Sequence, residues 1–393
     1  MANWNTWICQ QSRTHCAEER QLTVSETIID KQEDLDRVVH DVSDIVGIDT
    51  EFYVRRTFFR IPCLLQIATR HNSYVVDLAA PLNLKPIEML MRNPHLQKVM
   101  HAASEDLKIL HYLFGETPSG VVDTQMAHAF VSPEDQRSYH GVVKEYLKIE
   151  LNQSSSITTS NWSKRPLSKR QLEYAIDDVQ YLLPLYIALF GRLRDLGRLE
   201  WFEEEMQIHL ASQGISWKYE LSNVQGLRKL TKHEQSLAIL LNEWRESLAK
   251  RSNVPRRWIA TDEQLVWSVQ HRSEPIAQFR DELGMRLGGR LHRTLRKELK
   301  HARVAPLKIR RADFESQRFH KKSSVVVRMK EIVKFKSEQL QMSRNLLGNQ
   351  GNLIEWSNYF SQSRKFPRSF GRWRDLLLGK EFREILRNPY DPT

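Results

Sequence analysis

The 393-residue sequence is poor in cysteine, with only Cys9, Cys16 and Cys63 and no CxxC pair. An odd number of thiols without such spacing argues against a disulfide framework and against a disulfide-linked partner. Cys9, His15 and Cys16 could together bind a metal, but the simpler interpretation places all three in a frayed N-terminal tail. The cysteine content therefore favours a protein of a reducing compartment.

Long apolar runs are also missing. The longest, Leu182 to Phe190, is interrupted by Pro184 and is far shorter than the roughly 20 residues that a membrane span needs. The N-terminus has no basic start followed by an apolar segment, so we expect no signal peptide, no membrane partner and a cytoplasmic location. A GxxxxGK[ST] phosphate loop is absent as well, which excludes a P-loop helicase.

Charge is present in excess but is divided unevenly along the chain. Residues 1–220 hold 23 basic and 30 acidic side chains, a net charge of −7, whereas residues 221–393 hold 36 and 18, a net charge of +18. Such asymmetry indicates a C-terminal region that binds a polyanion, with nucleic acid as the leading candidate. The alternative is a helical region whose basic side chains are only solvated.

The first half of the chain reads as an α/β domain. Three β-rich runs between residues 45 and 78 predict an antiparallel meander, and a helix near Pro86, a short strand from Lys98 and a helix from Ser104 follow. Ser168 and Gln171 have capping-box spacing, which predicts a helix start that Pro184 would later kink. Beyond Trp217 only helical periodicity remains, in two patterns.

Acidic residues on one strand give the first indication of chemistry. In IVGIDTEF, Asp49 and Glu51 alternate with Ile48 and Thr50, so both carboxylates leave the same face of a strand. Two neighbouring carboxylates repel one another and require a proton or a bound cation. A DxE pair alone is weak evidence, because exposed strands often carry such pairs.

Two further motifs strengthen that interpretation. HAASEDLKIL places Asp106 in the first turn of a helix, and YAIDDVQYLLP places Tyr174 and Asp178 four residues apart on one helix face. Asp106 could instead only favour its helix N-terminus, and Tyr174 could be a core residue. The joint occurrence of all three motifs makes a shared site the better interpretation.

DTEF, HAASEDL and YAIDDVQYLLP resemble the three motifs of the DEDD exonucleases, in the subgroup whose third motif is Tyr-x-x-x-Asp. DTQMAHAF and NWSKRPLS extend the resemblance to the ribonuclease D family over residues 25–215, and the downstream helical patterns resemble HRDC domains. The resemblance implies an α/β ribonuclease H-like exonuclease domain, a mixed sheet flanked by helices, followed by two all-α HRDC-like bundles. The implied boundaries are a tail at 1–22, the exonuclease domain at 23–215, a first HRDC domain at 226–306, a linker at 307–324 and a second HRDC-like domain at 325–393.

The same resemblance implies the roles of individual residues. Two divalent ions, Mg²⁺ or Mn²⁺, would be held by Asp49, Glu51, Asp106 and Asp178, and Tyr174 would orient or deprotonate the attacking water. Asp177 lies off the motif spacing and receives a structural or outer role. Where the family often has a basic residue before the tryptophan of NWSKRPLS, this chain has Gln153 and no Lys or Arg until Lys164, so the substrate contacts of that loop are in question.

The function implied by the resemblance is 3′-5′ exoribonuclease activity that releases nucleoside 5′-monophosphates, with transfer RNA precursors as substrates and a monomeric chain. A 3′-5′ DNA exonuclease and a non-catalytic nucleic-acid-binding protein are the alternatives. Trp258 and Trp267 could stack on bases, although core roles are the simpler expectation. We expect two basic clusters to bind RNA: Arg290, Arg293, Arg296, Lys297 and Lys300, and Arg364, Lys365, Arg368, Arg372 and Arg374.

Overall fold

The computed structural model describes residues 28–53, 56–151, 155–158, 160–212, 224–304 and 323–388. Cys9, His15, Cys16 and Gln153 lie outside these ranges, and the side chain of Lys300 is not among those described. None of the helices in the described ranges is long and apolar enough to cross a membrane.

A six-stranded mixed sheet forms the centre of the first domain, in the order β1-β4-β3-β2-β5-β6. The β2-β3 and β3-β4 pairs are antiparallel, which confirms the predicted meander, whereas the β1-β4, β2-β5 and β5-β6 pairs are parallel. The sequence did not reveal β1 or β6, because two- and three-residue strands carry too little periodicity. The strands are β1 Ile28–Ile29, β2 Ile45–Tyr53, β3 Ile61–Ala68, β4 Ser73–Asp77, β5 Gln97–Met100 and β6 Val121–Asp123.

Nine helices described between residues 32 and 212 cover the sheet. They are α1 Gln32–Asp41, α2 Lys85–Arg92, α3 Ser104–Phe114, α4 Thr124–Val131, α5 Tyr139–Leu147, α6 Ser155–Thr158, α7 Lys169–Gln180, α8 Leu182–Asp195 and α9 Leu199–Ser212. The capping box that starts α7 at Ser168 is confirmed. Pro184 does not kink one long helix as predicted. The helix ends at Gln180, and Pro184 lies in the first turn of α8, where its missing N–H breaks no helical hydrogen bond.

Gly47 allows the strand that carries the acidic pair to approach α8 closely. A Cβ at this position would meet the Cβ atoms of Ala68 at 3.1 Å and Leu182 at 3.2 Å. Leu182 follows Asp178 by only four residues, so this contact also fixes the end of α7 against β2. Gly47, which no sequence pattern singled out, thus allows the strand of the first motif to lie close to the helix that follows the third motif.

The first helical module has its own core. Leu237, Leu241, Phe279, Leu291 and Leu295 pack together among α10 Lys232–Ser252, α11 Arg256–Ile259, α12 Asp262–Gln270, α13 Ile276–Leu283 and α14 Met285–Val304. Capping boxes begin α10 and α12. These five helices form a bundle consistent with the all-α prediction.

The second helical module does not have a separate core. Its helices are α15 Ser324–Leu340, α16 Arg344–Gly348, α17 Gln350–Ser363 and α18 Arg372–Arg387. Trp373 at the start of α18 is 1% exposed and packs 5.1 Å from the ring of Phe130 and 6.1 Å from that of Trp201. This module therefore shares one continuous apolar core with the sheet domain.

Candidate active site and nucleic-acid surface

Three of the four predicted ligands meet at one point. Asp49 and Glu51 project from β2, and Asp178 projects from α7; one carboxylate oxygen of each lies within 4.8 Å of the others. The β2-β3 register shifts between Glu51 and Phe52, at the residue that follows the pair. Strand alternation and helix spacing therefore bring the first and third motifs together, as the sequence predicted.

Asp106, on α3, lies beside this cluster. Its buried carboxylate accepts a hydrogen bond from Thr50 Oγ1 at 2.5 Å. The turn into α3 is held by Asp123, whose carboxylate oxygens accept the N–H groups of Ala102 at 3.0 Å and Ala103 at 2.9 Å. The sequence did not predict Thr50 or Asp123, because both act by holding a ligand-bearing segment in place.

Burial dominates the electrostatics of the four carboxyls. It raises the pKa of Glu51 to about 9, with further increases from Asp178 and Asp106. Burial also raises the pKa of Asp106 and of Asp178 to about 7; hydrogen bonds from Thr50 to the former and from Tyr174 to the latter oppose the increase. The pKa of Asp49 rises well above its usual range, first from burial and then from its three acidic neighbours.

This donor set fits hard divalent cations. Carboxylate oxygens are the ligands that Mg²⁺ and Mn²⁺ prefer. Burial and the neighbouring acids raise the pKa values of these carboxyls, and a bound cation would offset both effects. Asp49, Glu51 and Asp178 offer the tightest group of donors, and Asp106 stands beside them in its bond to Thr50. Other clusters of three or more such ligands are not found among the described residues.

Tyr174 lies on the same face of α7 as Asp178. Its hydroxyl accepts a hydrogen bond from Thr158 Oγ1 at 3.2 Å, and its ring centroid lies 6.1 Å from that of the buried Trp162. Arg165 anchors the segment around Trp162 by donating from Nε to Asp77 Oδ2 at 2.6 Å and from Nη1 to the Trp162 carbonyl at 2.7 Å. The loop that lacks a cation thus contributes a hydroxyl, which the sequence gave no signal to find.

Asp177 differs from its neighbour Asp178. It accepts a hydrogen bond from Gln180 at 2.5 Å and is outside the group of close donors. Burial raises its pKa, against the effect of that hydrogen bond. This placement agrees with the structural or outer role expected from motif spacing.

The basic cluster of the first helical module lies on the outer face of α14. Arg290, Arg293, Arg296 and Lys297 are exposed, and the buried Leu291 and Leu295 face the core. Trp267 packs at 5.2 Å against Phe279, consistent with the expected core role. The expected core role of Trp258 is wrong. This indole is 55% exposed and lies on the four-residue α11, which has no buried side chain.

In the second module, four of the five predicted cations are exposed. Arg364, Lys365, Arg368 and Arg372 line an open cavity of about 430 Å³ between α9 and the α17-α18 connection. Arg374 is placed differently. It is 5% exposed, and its guanidinium binds both oxygens of Glu205 at 2.6 Å, so we leave it out of the proposed RNA surface.

Comparison with known proteins agrees with this geometry. The family described as 3′-5′ exonuclease matches residues 27–194. Ribonuclease D of Desulfotalea psychrophila is 29% identical over 92% of this chain and 99% of that protein. Ribonuclease D of Gluconacetobacter diazotrophicus is 35% identical over 61% of each chain, and that of Bartonella henselae is 36% identical over 57% of this chain and 55% of the relative. The alignments to these last two span less than two thirds of the relatives' length.

Among solved structures, Escherichia coli RNase D has a TM-score of 0.80 at 22% identity, over 93% of this chain and 99% of that one. The residues that form the sheet and carry the carboxylate cluster lie within the segment that matches the 3′-5′ exonuclease family. The similarity to the Desulfotalea psychrophila and Escherichia coli proteins covers more than nine tenths of this chain and so includes both helical modules. The chain is similar to ribonuclease D proteins over most of its length, and its residues 27–194 match the 3′-5′ exonuclease family.

Proposed function

We propose that this protein is a metal-dependent 3′-5′ exoribonuclease that removes nucleotides one at a time and releases nucleoside 5′-monophosphates. The observation that carries the proposal is the cluster of Asp49, Glu51 and Asp178, with Asp106 beside it. Four carboxyls with raised pKa values in one partly open site are costly to keep unless they bind cations.

Each residue of the site has a defined task in this reaction. Asp49, Glu51, Asp106 and Asp178 would hold two divalent ions, which when bound supply the charge that activates water and stabilises the leaving 3′ oxygen. Tyr174, held by Thr158 and packed near Trp162, orients the attacking water through its hydroxyl. Burial, followed by the charge of Asp178, raises the pKa of Tyr174, whose hydroxyl also forms a hydrogen bond with Asp178.

RNA affinity comes from outside this acidic site. The exposed cations of α14 and of the α17-α18 connection supply phosphate partners, and the exposed indole of Trp258 offers a stacking surface. The solved relative from Escherichia coli is described as an exoribonuclease involved in structured RNA processing. We extend that substrate class to this protein, with transfer RNA precursors as the specific substrates and a cytoplasmic monomer as the active form.

Matched oligomers test the activity and the sugar preference together. We expect the purified protein with Mg²⁺ to shorten a 5′-labelled RNA in single-nucleotide steps and to act much more slowly on the DNA of the same sequence. EDTA should stop the reaction, and added Mg²⁺ or Mn²⁺ should restore it. Faster cleavage of the DNA would support the DNA exonuclease alternative, and binding without any cleavage would support the non-catalytic one.

A further inference from the structure

Residues 57–60, in the connection between β2 and β3, contact the first helical module where α10 ends. Asn253, the residue that ends α10, accepts hydrogen bonds through Oδ1 from the backbone N–H groups of Phe58 at 3.1 Å and Phe59 at 3.2 Å. These two contacts join residues nearly 200 positions apart in the sequence.

The backbone of Asn253 explains why an asparagine stands there. Its φ of 47° and ψ of 48° are left-handed, a conformation that asparagine tolerates better than most side chains and that aims its amide away from α10. Its own N–H closes the helix on the carbonyls of Ala249 and Lys250. One residue thus ends the helix and holds the hairpin loop.

Two cations of the first helical module lie beside the loop. Phe58 is 7% exposed, with the Arg256 guanidinium 4.6 Å and the Lys250 ammonium 5.7 Å from its ring centroid. The quadrupole of an aromatic ring attracts a cation over its face, more strongly as water is excluded. The cation contacts of the Phe58 ring and the hydrogen bonds of Asn253 therefore hold the same short segment. We name this segment, residues 57–60, the bracket loop.

The other side of the bracket loop contacts the elements that carry the carboxylates. The ring of Phe59 stacks on Tyr112 of α3 at 5.5 Å. Arg60 forms an ion pair with Glu105, the neighbour of Asp106, and its guanidinium lies 5.3 Å from the ring of Phe52. Phe52 directly follows Glu51, so the loop reaches the residues adjacent to two of the four ligands.

We infer that Asn253 is a positioning residue of the active site, acting through the bracket loop to hold β2 and α3 in their working arrangement. The first helical module therefore contributes to turnover as well as to RNA affinity. This inference rests on the proposed exonuclease function for its kinetic part. Its structural part, the amide clamp on Phe58 and Phe59, stands independently of any activity.

Two substitutions of Asn253 distinguish its hydrogen bonds to the bracket loop from its role in ending α10. Asn253→Gly keeps the left-handed backbone accessible and removes the acceptor, whereas Asn253→Asp keeps an acceptor for both N–H groups. Hydrogen exchange of the full-length, metal-free protein reports the clamp directly. We expect the Phe58 and Phe59 amides to exchange at least tenfold faster in Asn253→Gly and at the parent rate, or slower, in Asn253→Asp.

Kinetics on RNA then test the positioning role. We expect Asn253→Gly to lower kcat about five- to tenfold, with unchanged RNA affinity measured in an Asp178→Asn background, and Asn253→Asp to keep kcat within twofold of the parent. Phe58→Leu should lower kcat by less than Asn253→Gly does. The double variant should lose less kcat than the two single losses combined, because both residues hold the same loop.

Each contrary result has its own meaning. Unchanged amide exchange in Asn253→Gly would overturn the clamp itself. Faster exchange with the parent kcat, or equal kcat losses in the Gly and Asp variants, would overturn the positioning role. A parent protein without any nuclease activity would contradict the proposed function instead, and the exchange experiment would still decide the clamp.

Discussion

At the residue scale, the proposed activity requires Asp49, Glu51, Asp106 and Asp178, but not the neighbouring Asp177. We expect Asp49→Asn and Asp178→Asn each to reduce hydrolysis below about one hundredth of the parent rate, because each removes charge that a divalent ion needs. The fold should remain intact, since a buried repulsion is relieved. Single-turnover assays at saturating Mg²⁺ measure the effect.

Asp177→Asn is the matched control, because Asp177 adjoins Asp178 but bonds to Gln180 instead of joining the cluster. It should retain activity within a few-fold of the parent. Near-parent turnover by Asp49→Asn, or a loss in Asp177→Asn as large as in Asp178→Asn, would show that the ligand assignment is incorrect.

Tyr174→Phe tests the only proposed catalytic side chain that is not a carboxyl. We expect about 10²-fold slower hydrolysis with little change in RNA binding, the range typical of losing a general base or water-orienting group. Isothermal titration should show that metal binding survives. Full activity would reduce Tyr174 to a packing partner of Trp162.

The raised pKa values predict how stability depends on pH in the metal-free protein. A carboxyl whose pKa is raised by folding stabilises the fold below its unfolded value, roughly 4, and loses that contribution as pH rises through its folded value. For these groups the window extends from roughly pH 4 to about 9, the pKa of Glu51. Denaturant unfolding across that window should show falling stability, which Glu51→Gln makes shallower and Mg²⁺ offsets. Stability that rises through the window without metal would contradict this electrostatic description.

At the scale of elements, the sequence predicted what periodicity and caps encode. The β2-β3-β4 meander, the start of α7 at Ser168 and the acidic faces of β2 and α7 all follow local rules. The break at Tyr181 and the close approach at Gly47 do not, because they depend on how α8 lies across the sheet. The sequence also did not reveal the hydrogen bonds of Thr50 and Thr158, because their partners lie 56 and 16 residues away in the chain.

Gly47→Ala should therefore destabilise the protein, whereas Gly191→Ala, at a position of α8 where an added Cβ meets no other atom, should not. The first substitution brings a methyl group to within 3.1 Å of Ala68 Cβ and 3.2 Å of Leu182 Cβ, while the second meets nothing within 4 Å. Overpacking of this kind costs about 1 to 3 kcal/mol, and a helical Gly→Ala change gains roughly 0.5 to 1 kcal/mol. Urea unfolding distinguishes them, and equal free energies of unfolding would show that β2 and α8 can separate at little cost.

At the scale of the whole molecule, composition located the split in charge but not the packing of the modules. The sequence suggested two similar helical appendages. The first has a core of its own, whereas the second shares the core of the exonuclease domain through Trp373 and the buried ion pair of Arg374 with Glu205. A charge count could not distinguish an exposed arginine such as Arg368 from the buried Arg374, which joins the second module to α9.

That ion pair yields a prediction for the assembled protein. Arg374→Ala removes two charge-assisted hydrogen bonds from the half-buried carboxylate of Glu205, which keeps the Trp373 indole N–H as a side-chain donor. The loss of hydrogen bonds to a charged group typically costs about 1.5 to 3 kcal/mol. Thermal unfolding should therefore shift to lower temperature, with only a small effect on RNA affinity. Arg368→Ala, at an exposed position lining the 430 Å³ cavity, should do the opposite: unchanged stability, weaker RNA binding and a flatter salt dependence. Identical behaviour of the two variants would contradict the division between a structural and an RNA-binding arginine.

The most direct test of the central claim is to follow a 5′-labelled structured RNA with a free 3′ end while identifying the released products by chromatography. With Mg²⁺, we predict a ladder that shortens by one nucleotide per step from the 3′ end, with nucleoside 5′-monophosphates accumulating from the first turnover and neither signal in Asp49→Asn. Internal fragments, 3′-monophosphate products, or equal cleavage in EDTA would contradict a metal-dependent 3′-5′ exoribonuclease.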